Sequence, residues 1–390
     1  MFFLLGNKKE TCCGCWACIN VCPYQAMTMK EDYEGFIYPL RDEDLCLGCG
    51  QCEKVCPVIH PVSGEKKLNP PIVLAAWHKN EQIRLRSSSG GVFTAMAESV
   101  LNQGGVVCGA AFKADLMIHH QFVENKEDLS LLRGSKYVQS QIGDVYQKIN
   151  KFLMQGRKVL FSGTPCQVSG LYSFLRKDDL NLLTCDLVCH GVPSTMIFRR
   201  YLQYIEKRFN SKPISLSFRD KSQGWENYRF LVDFDNGSQF SESGSQNYYM
   251  NGFLKNIFLR PSCYRCQFTG IPRKGDITLG DFWGIGSQHP ELDDGHGTSL
   301  VLLNTDKAKK TFDDVMSNLF FSECQIELAI GGNPCLIGPV AASQKREQFF
   351  IDFYQLQFER LLKKYMKPSS KLRSMFKKLV WLLSKFRKYN

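Results

Sequence analysis

The sequence has no apolar run approaching the ~18 residues that a membrane-crossing helix needs, so nothing in it reads as a transmembrane segment. Its opening MFFLLGNKKE begins apolar, but no basic stretch precedes that run, which is too short for a secretory signal. There is no GxGxxG, which excludes a conventional dinucleotide-binding turn. Net charge is also missing from most of the chain. Of 49 Lys and Arg, eleven fall in 360–390, where there is no acid, and the remaining 38 balance the 38 Asp and Glu. A neutral body argues against a broad nucleic-acid-binding surface, and the +11 excess is left for one local contact at the tail. The chain is expected in the cytoplasm, a reducing compartment where cysteines serve metals rather than cross-links.

Cysteine, by contrast, is abundant, with 17 residues. Cys12, Cys15, Cys18 and Cys22 follow C-x2-C-x2-C-x3-C with Pro23 after them, and Cys46, Cys49, Cys52 and Cys56 repeat the spacing before Pro57. This is the ligand run of a bacterial-type ferredoxin with two [4Fe–4S] clusters. The two-residue gaps let three thiolates wrap one face of a cubane, while the proline holds the fourth cysteine extended and pointing away. In such pairs the fourth cysteine serves the other cluster. The expected sets are therefore Cys12, Cys15, Cys18 and Cys56 for one cluster, and Cys46, Cys49, Cys52 and Cys22 for the second. Cys13 is left over as a bystander thiol. Zinc or a disulfide framework would rarely need two runs of four plus proline.

HPVSGEKKLNPP (60–71) reads as a linker. Beyond it strands and helices alternate: strands over 71–78, 106–112, 158–163 and 180–188, and helices over 92–103, 144–155, 168–176 and 194–209. That alternation predicts an α/β layer with a largely parallel sheet. From 214 onward short alternating runs, ISLSFRD, NYRFLVDFDNGSQF, DITLGDFWG and SLVLLNT, predict a mixed or antiparallel β region with a helix near 247–258 and a hairpin turn at Asn236-Gly237.

Cys166 and Cys189 directly follow predicted parallel strands, whose carboxyl ends collect ligands in α/β sheets. Cys263 and Cys266 add a C-x2-C pair with metal-type spacing. Four converging thiols point to a third cluster, with Cys185 a rival for Cys189 and zinc an alternative metal. Cys108, Cys324 and Cys335 read as core thiols. SSSGG (87–91), before a helix, is the best phosphate site in the chain, and equally an ordinary helix start.

These stretches resemble the beta subunits of coenzyme F420-reducing hydrogenase and formate dehydrogenase and their stand-alone flavoprotein relatives. SSSGGVFTA, RGSKYVQS, SGTPCQVSGL, CDLVCHGVPS, CYRCQF and DITLGDFWG occur in the family's order over about 1–305. The resemblance implies FAD, a further [4Fe–4S] cluster on Cys166, Cys189, Cys263 and Cys266, and electron exchange between a hydride carrier and iron–sulfur partners. It makes Ser88, Ser89, Gly90, Gly91, Ser135, Lys136 and Thr164 candidate flavin contacts. Lys136 is the candidate catalytic group, because its charge would stabilise anionic reduced flavin. Asp281 and Trp283 are candidates for the same cavity or for the core. His190 could tune the cluster or be a satisfied core histidine, and His296 could belong to a substrate loop.

The whole chain then reads as an α+β ferredoxin-type dicluster domain (1–62), an α/β flavin domain with a mixed β region (70–345) and a basic helical tail (346–390). Leu372, Met375, Phe376, Leu379, Leu383 and Phe386 fall on one helical face, opposite most of the Lys and Arg. Such a helix suits an anionic membrane surface at the inner face, a partner, or the protein's own body. The expected function is an iron–sulfur flavoprotein oxidoreductase that exchanges electrons with ferredoxin or another redox partner. On its other side it would meet a hydride carrier (F420 or NAD(P)H) or a small-molecule substrate. By resemblance alone, cell-surface polysaccharide synthesis is a context for it. The alternatives are a non-catalytic electron-transfer subunit, or a zinc-bearing structural module without flavin.

Overall fold

A computed structural model describes residues 8–62 and 67–368. Between the two cysteine runs, β1 (Met27–Glu31) and β2 (Ile37–Arg41) form an antiparallel hairpin. The next strands are β3 (Ile72–His78), β4 (Val106–Phe112), β5 (Ile118–Val123), β6 (Val159–Gly163) and β7 (Leu182–Leu187). A separate antiparallel sheet holds β8 (Pro213–Asp220), β9 (Arg229–Phe234) and β10 (Gln239–Ser243), with Gly237 at φ +80° in the β9–β10 turn. β11 (Ile277–Asp281), β12 (Ser299–Leu303) and β13 (Leu319–Glu323) then return to the first sheet.

That sheet has eight strands in the order β13-β3-β12-β11-β7-β6-β4-β5. β4, β6, β7 and β11 run parallel to their neighbours within this block, and the flanking pairings are antiparallel. The sheet is therefore mixed, correcting the expectation of a largely parallel one. DITLGDFWG and SLVLLNT belong to it and not to the later β region. Local alternation identifies a strand, but the partner is chosen by long-range burial. β11 and β12 are buried along most of their length and fill the gap beside β7.

The helices Val92–Asn102 and Asp306–Val315 cover one face of the large sheet. On the other lie Val145–Met154 and Pro165–Leu175, packed in one apolar cluster with Cys15, Ala17 and Val55 of the cysteine-rich segment. That segment is thus seated directly on the sheet's helical layer. Gly170 makes the close approach: a Cβ there would lie 2.9 Å from Cys15 Cβ. Tyr146 ties the layers by donating from its hydroxyl to the carbonyls of Cys15 and Gln167, each at 2.8 Å. A third cluster joins Phe36 and Tyr38 to the helix Thr195–Phe209 and the three-stranded sheet.

Within 346–390, the described part is helical over Arg346–Gln355, Phe358–Leu361 and Leu362–Met366, and it buries Phe349, Phe350, Leu361, Leu362 and Met366 in that third cluster. Arg346 grips Glu34 at 2.5 and 2.9 Å, joining this segment to the β1–β2 turn. The apolar face at Leu372–Phe386 lies outside the described residues. Among the described residues no helix is long and apolar enough to cross a membrane.

Candidate functional site

The two cysteine runs share a backbone as well as a spacing. Gly14 and Gly48 both sit at φ +68°, and Trp16 and Gly50, two residues on, at +69° and +68°. Each loop therefore alternates left-handed residues between its first three cysteines, which turns backbone N–H groups toward one point, a concavity suited to an anion. Tryptophan is an unusual occupant of that region of backbone space. Its indole Nε1 is buried without a hydrogen-bond partner.

Cys12, Cys15, Cys18 and Cys56 line one cavity, together with Trp16. Cys56, from the second run, thus stands with the first three cysteines of the first. In the other set Cys46 and Cys52 lie near enough to influence each other by charge, and Cys49 is solvent-exposed. Cys22 ends the helix Ala17–Val21, which packs on Gln51–Lys54, the helix carrying Cys52. Leu47, between Cys46 and Cys49, is 69% exposed.

A second cavity is lined by Cys166, Cys189, Cys263 and Cys266. The elements explain the convergence. β6 and β7 are parallel neighbours, so Cys166 and Cys189 leave the same end of the sheet. Thr164 and Gln167 form a reciprocal cap on the helix Pro165–Leu175, which fixes the turn at Cys166. The 3-10 helix Pro261–Arg265 brings Cys263. It is held to the loop after Cys189 by a bridge of Pro193 with Leu259, and Arg260 N–H donates to Val192 O at 2.9 Å. Val192 N–H in turn points at Cys263 Sγ, 3.4 Å away. Cys185 is mid-sheet, opposite Ser162 and Ile277 on its two neighbours, and buried. Cys189, not Cys185, is in the cavity wall.

Two more thiols reach this cavity, Cys13 and Cys335. Cys13 is the more telling because it also lines the first cavity, and its thiol lies within interaction distance of those of Cys15 and Cys166. A surplus cysteine in the sequence is thus a span between two thiol clusters. Cys108 is a core thiol, and Cys324 is half-buried beside β3. His190 lines the second cavity and shares a 2.7 Å hydrogen bond with Asn256.

The donor set fits a cubane in each cavity. Four thiols crowded in one pocket resist ionisation when alone: the contact with the Cys13 thiol and burial push the Cys166 pKa up, burial and the neighbouring thiols push up Cys189, and burial takes Cys263 to about 12. These cysteines would hold an iron–sulfur core as thiolates, their protons lost to solvent and their charge compensated by the iron. The pocket also holds buried donors with no partner. Arg273 lines it with a side chain wholly buried; its Nη2 donates to Asp186 Oδ1 at 3.3 Å and Leu187 O at 2.9 Å, while Nη1 has no partner. Ser262 Oγ, also in the wall, is likewise unpartnered. Inorganic sulfides and thiolates are the acceptors that such donors lack. Among the described residues no three His, Cys, Asp or Glu side chains are arranged to hold a single metal ion. The thiols ring a space instead.

The flavin candidates form a strip leading to this cavity. Ser135 hydroxyl donates to that of Ser88 at 2.8 Å, and Arg133 Nε to Thr94 Oγ1 at 3.0 Å, so RGSKYVQS begins against the SSSGG loop. It ends at the second cavity's supports, where Gln167 Nε2 donates to Ser140 O at 3.3 Å. Thr164 Oγ1 lies 3.1 Å from Cys166 Sγ. Ser89 and Gly90 bond into the sheet, to Thr298 O and Ser299 Oγ. Gly91 is buried at φ +87° and starts the helix Val92–Asn102. Half-buried Lys136 donates to the carbonyls of Leu132, Arg133 and Gly134 at 3.3, 2.7 and 3.2 Å, and burial pulls its pKa down to about 7.

At the same rim, Trp283 stacks on Trp225 with centroids 4.6 Å apart, and Asp281 pairs with Arg219 and accepts from Trp225 Nε1 at 3.0 Å. Lys221, which no sequence motif marks, is buried and donates to the carbonyls of Arg84, Ser89 and His296. His296 itself is exposed.

The 4Fe-4S dicluster domain model matches residues 11–59. The models for the beta subunit of coenzyme F420 hydrogenase/dehydrogenase match residues 73–147 (N-term) and 156–329 (C terminus). Among solved structures, a chain of the F420-reducing [NiFe] hydrogenase complex from Methanosarcina barkeri, determined as a xenon derivative, is similar with a TM-score of 0.46 and 19% identity, covering 76% of this chain and 92% of that one. No curated protein matches. The chain belongs to the coenzyme F420 hydrogenase/dehydrogenase beta-subunit family, with a 4Fe-4S dicluster domain joined ahead of the beta-subunit region.

Proposed function

We propose that the protein is an iron–sulfur flavoprotein oxidoreductase that carries single electrons through three [4Fe–4S] clusters to or from FAD. The observation that carries this is Cys13, which lines both thiol cavities and so makes them neighbours. The order that follows is the solvent-exposed set around Cys49, then the set completed by Cys56, then Cys166, Cys189, Cys263 and Cys266. An external carrier such as ferredoxin would meet the first of these. FAD, when bound, supplies the conversion between single electrons and a hydride. Ser88, Ser135, Lys136 and Thr164 are the residues proposed to hold it. The hydride partner is a carrier such as F420 or NAD(P)H, or an organic substrate.

The first test is the iron, zinc and flavin content of anaerobically purified protein. About twelve irons and one FAD per chain support the proposal; about eight irons with zinc and no flavin overturn it. Lys136 supplies a second test. Its pKa lies near 7, so its positive charge is present below that pH and is lost above it. FAD retention on dilution is therefore expected to fall as pH rises from 6 to 8 in the wild type and to stay level in Lys136→Arg. An unchanged pH dependence in the variant removes Lys136 from the flavin site.

One observation favours a second reading, an electron-transfer subunit without its own substrate. Ser89 and Gly90 are already bonded within the sheet, and Ser88 to Ser135, which leaves fewer free groups for a flavin phosphate. Turnover of reduced F420, NAD(P)H or reduced ferredoxin by the isolated chain would exclude it.

A further inference from the structure

Arg260 is fully buried and, among the described residues, pairs with no carboxylate. A guanidinium in that position is costly unless an anion lies close. Its partners are instead neutral acceptors and sulfur. Nε donates to Cys12 O at 2.8 Å, Nη1 to Gln139 Oε1 at 3.0 Å, and Nη2 to Ile37 O at 3.0 Å, with Cys12 Sγ 3.7 Å from Nη2. Tyr38 stacks on it, its ring centroid 4.2 Å from Cζ. Gly14 leaves room for the group, since a Cβ there would fall 3.0 Å from Arg260 Cζ. The guanidinium lies within electrostatic range of both thiol sets, with Cys12 and Cys13 on one side and Cys166 and Cys263 on the other. Arg260 also opens the turn of Cys263, whose N–H donates to Arg260 O at 2.9 Å.

We propose that Arg260 is the shared counter-charge of two clusters, the one held by Cys12, Cys15, Cys18 and Cys56 and the one held by Cys166, Cys189, Cys263 and Cys266. This rests on the cluster assignments of the proposed function. A cubane with four thiolates is anionic, and one-electron reduction adds a further negative charge without a proton. A fixed cation beside it stabilises the reduced form and raises the potential. Because one guanidinium serves both, passing one electron from the first cluster to the second oxidises one and reduces the other with no change in the summed charge around Arg260. Arg260 is thus a positioning and tuning residue, not a ligand.

The test is the midpoint potential of each cluster, followed by EPR during dithionite titration of the full chain, with iron content measured on the same samples. In Arg260→Met the Cys12-set cluster is expected to shift tenfold or more toward the oxidised form, about 59 mV more negative. The Cys166-set cluster should move the same way, and the cluster near exposed Cys49 should stay put. Arg260→Lys, which keeps the charge, should shift less than half as far. Unmoved potentials in the iron-replete Met variant overturn the proposal, and so does a Lys variant displaced as far as Met. If the Met variant loses iron, a loaded Lys variant near wild-type potential supports the proposal, and a second unloaded variant assigns Arg260 to packing alone. A wild type with about eight irons defeats the third-cluster reading separately. The shared role falls with it, and the shift at the Cys12-set cluster then shows whether Arg260 is the counter-charge of that cluster alone.

Discussion

Cys263→Ala is expected to lower the iron content from about twelve to about eight per chain while leaving the dicluster signals in place. Cys263 is half-buried beside Cys166, Cys189 and Cys266 in one cavity wall, so its loss leaves three of the four ligands, and a combined Cys13→Ala and Cys335→Ala background removes the two other thiols of that wall as substitutes. Its removal also takes away the sulfur that Val192 N–H faces. The informative control is Cys185→Ala. Cys185 lies in the middle of the sheet, between Ser162 and Ile277, and its loss is expected to cost packing and no iron. Iron analysis and EPR decide it: full iron in Cys263→Ala, or four irons lost in Cys185→Ala, would sink the assignment of the third site.

Asp186→Ala is expected to destabilise the protein by about 3–5 kcal/mol, the cost of stranding a buried charge partner. Asp186 is wholly buried. It accepts from the N–H groups of Lys274 and Gly275 at 3.1 and 2.9 Å, and from Arg273 Nη2 at 3.3 Å. Without it two backbone donors lose their acceptor, and a wholly buried guanidinium loses its counter-charge and keeps only neutral acceptors such as Leu187 O. The same carboxylate is three residues from Cys189 and holds Arg273 against the cavity, so iron in the third site should fall with stability. Urea unfolding followed alongside iron release tests both. A loss below about 1 kcal/mol, the range of an ordinary single hydrogen bond, would show that Arg273 finds another partner.

The two thiol runs were the most legible part of the protein. Thiol spacing in a short loop is set by local covalent geometry, which is why Cys12–Cys22 and Cys46–Cys56 could be read directly and why their loops repeat the same left-handed residues. The strands at 106–112 and 158–163 were also legible, because buried strands are nearly continuous apolar runs. The helix Pro165–Leu175 begins three residues before its apolar pattern does, since its start is set by the Thr164–Gln167 cap and Pro165, which hydrophobic periodicity cannot register.

Sequence alone determined the two thiol runs, the alternation of strands and helices, the C-x2-C pair and the concentration of charge at the tail, because each depends on neighbours within a few residues. Tertiary structure decided the rest. It placed β11 and β12 in the large sheet, chose Cys189 over Cys185 for the cavity wall, and turned Cys13 from a bystander into a span between two cavities. It also put Arg260 beside Cys12, a contact across 248 positions of chain. Such contacts arise when separate apolar faces bury against one another, and no local pattern encodes which distant residue a buried charge will meet.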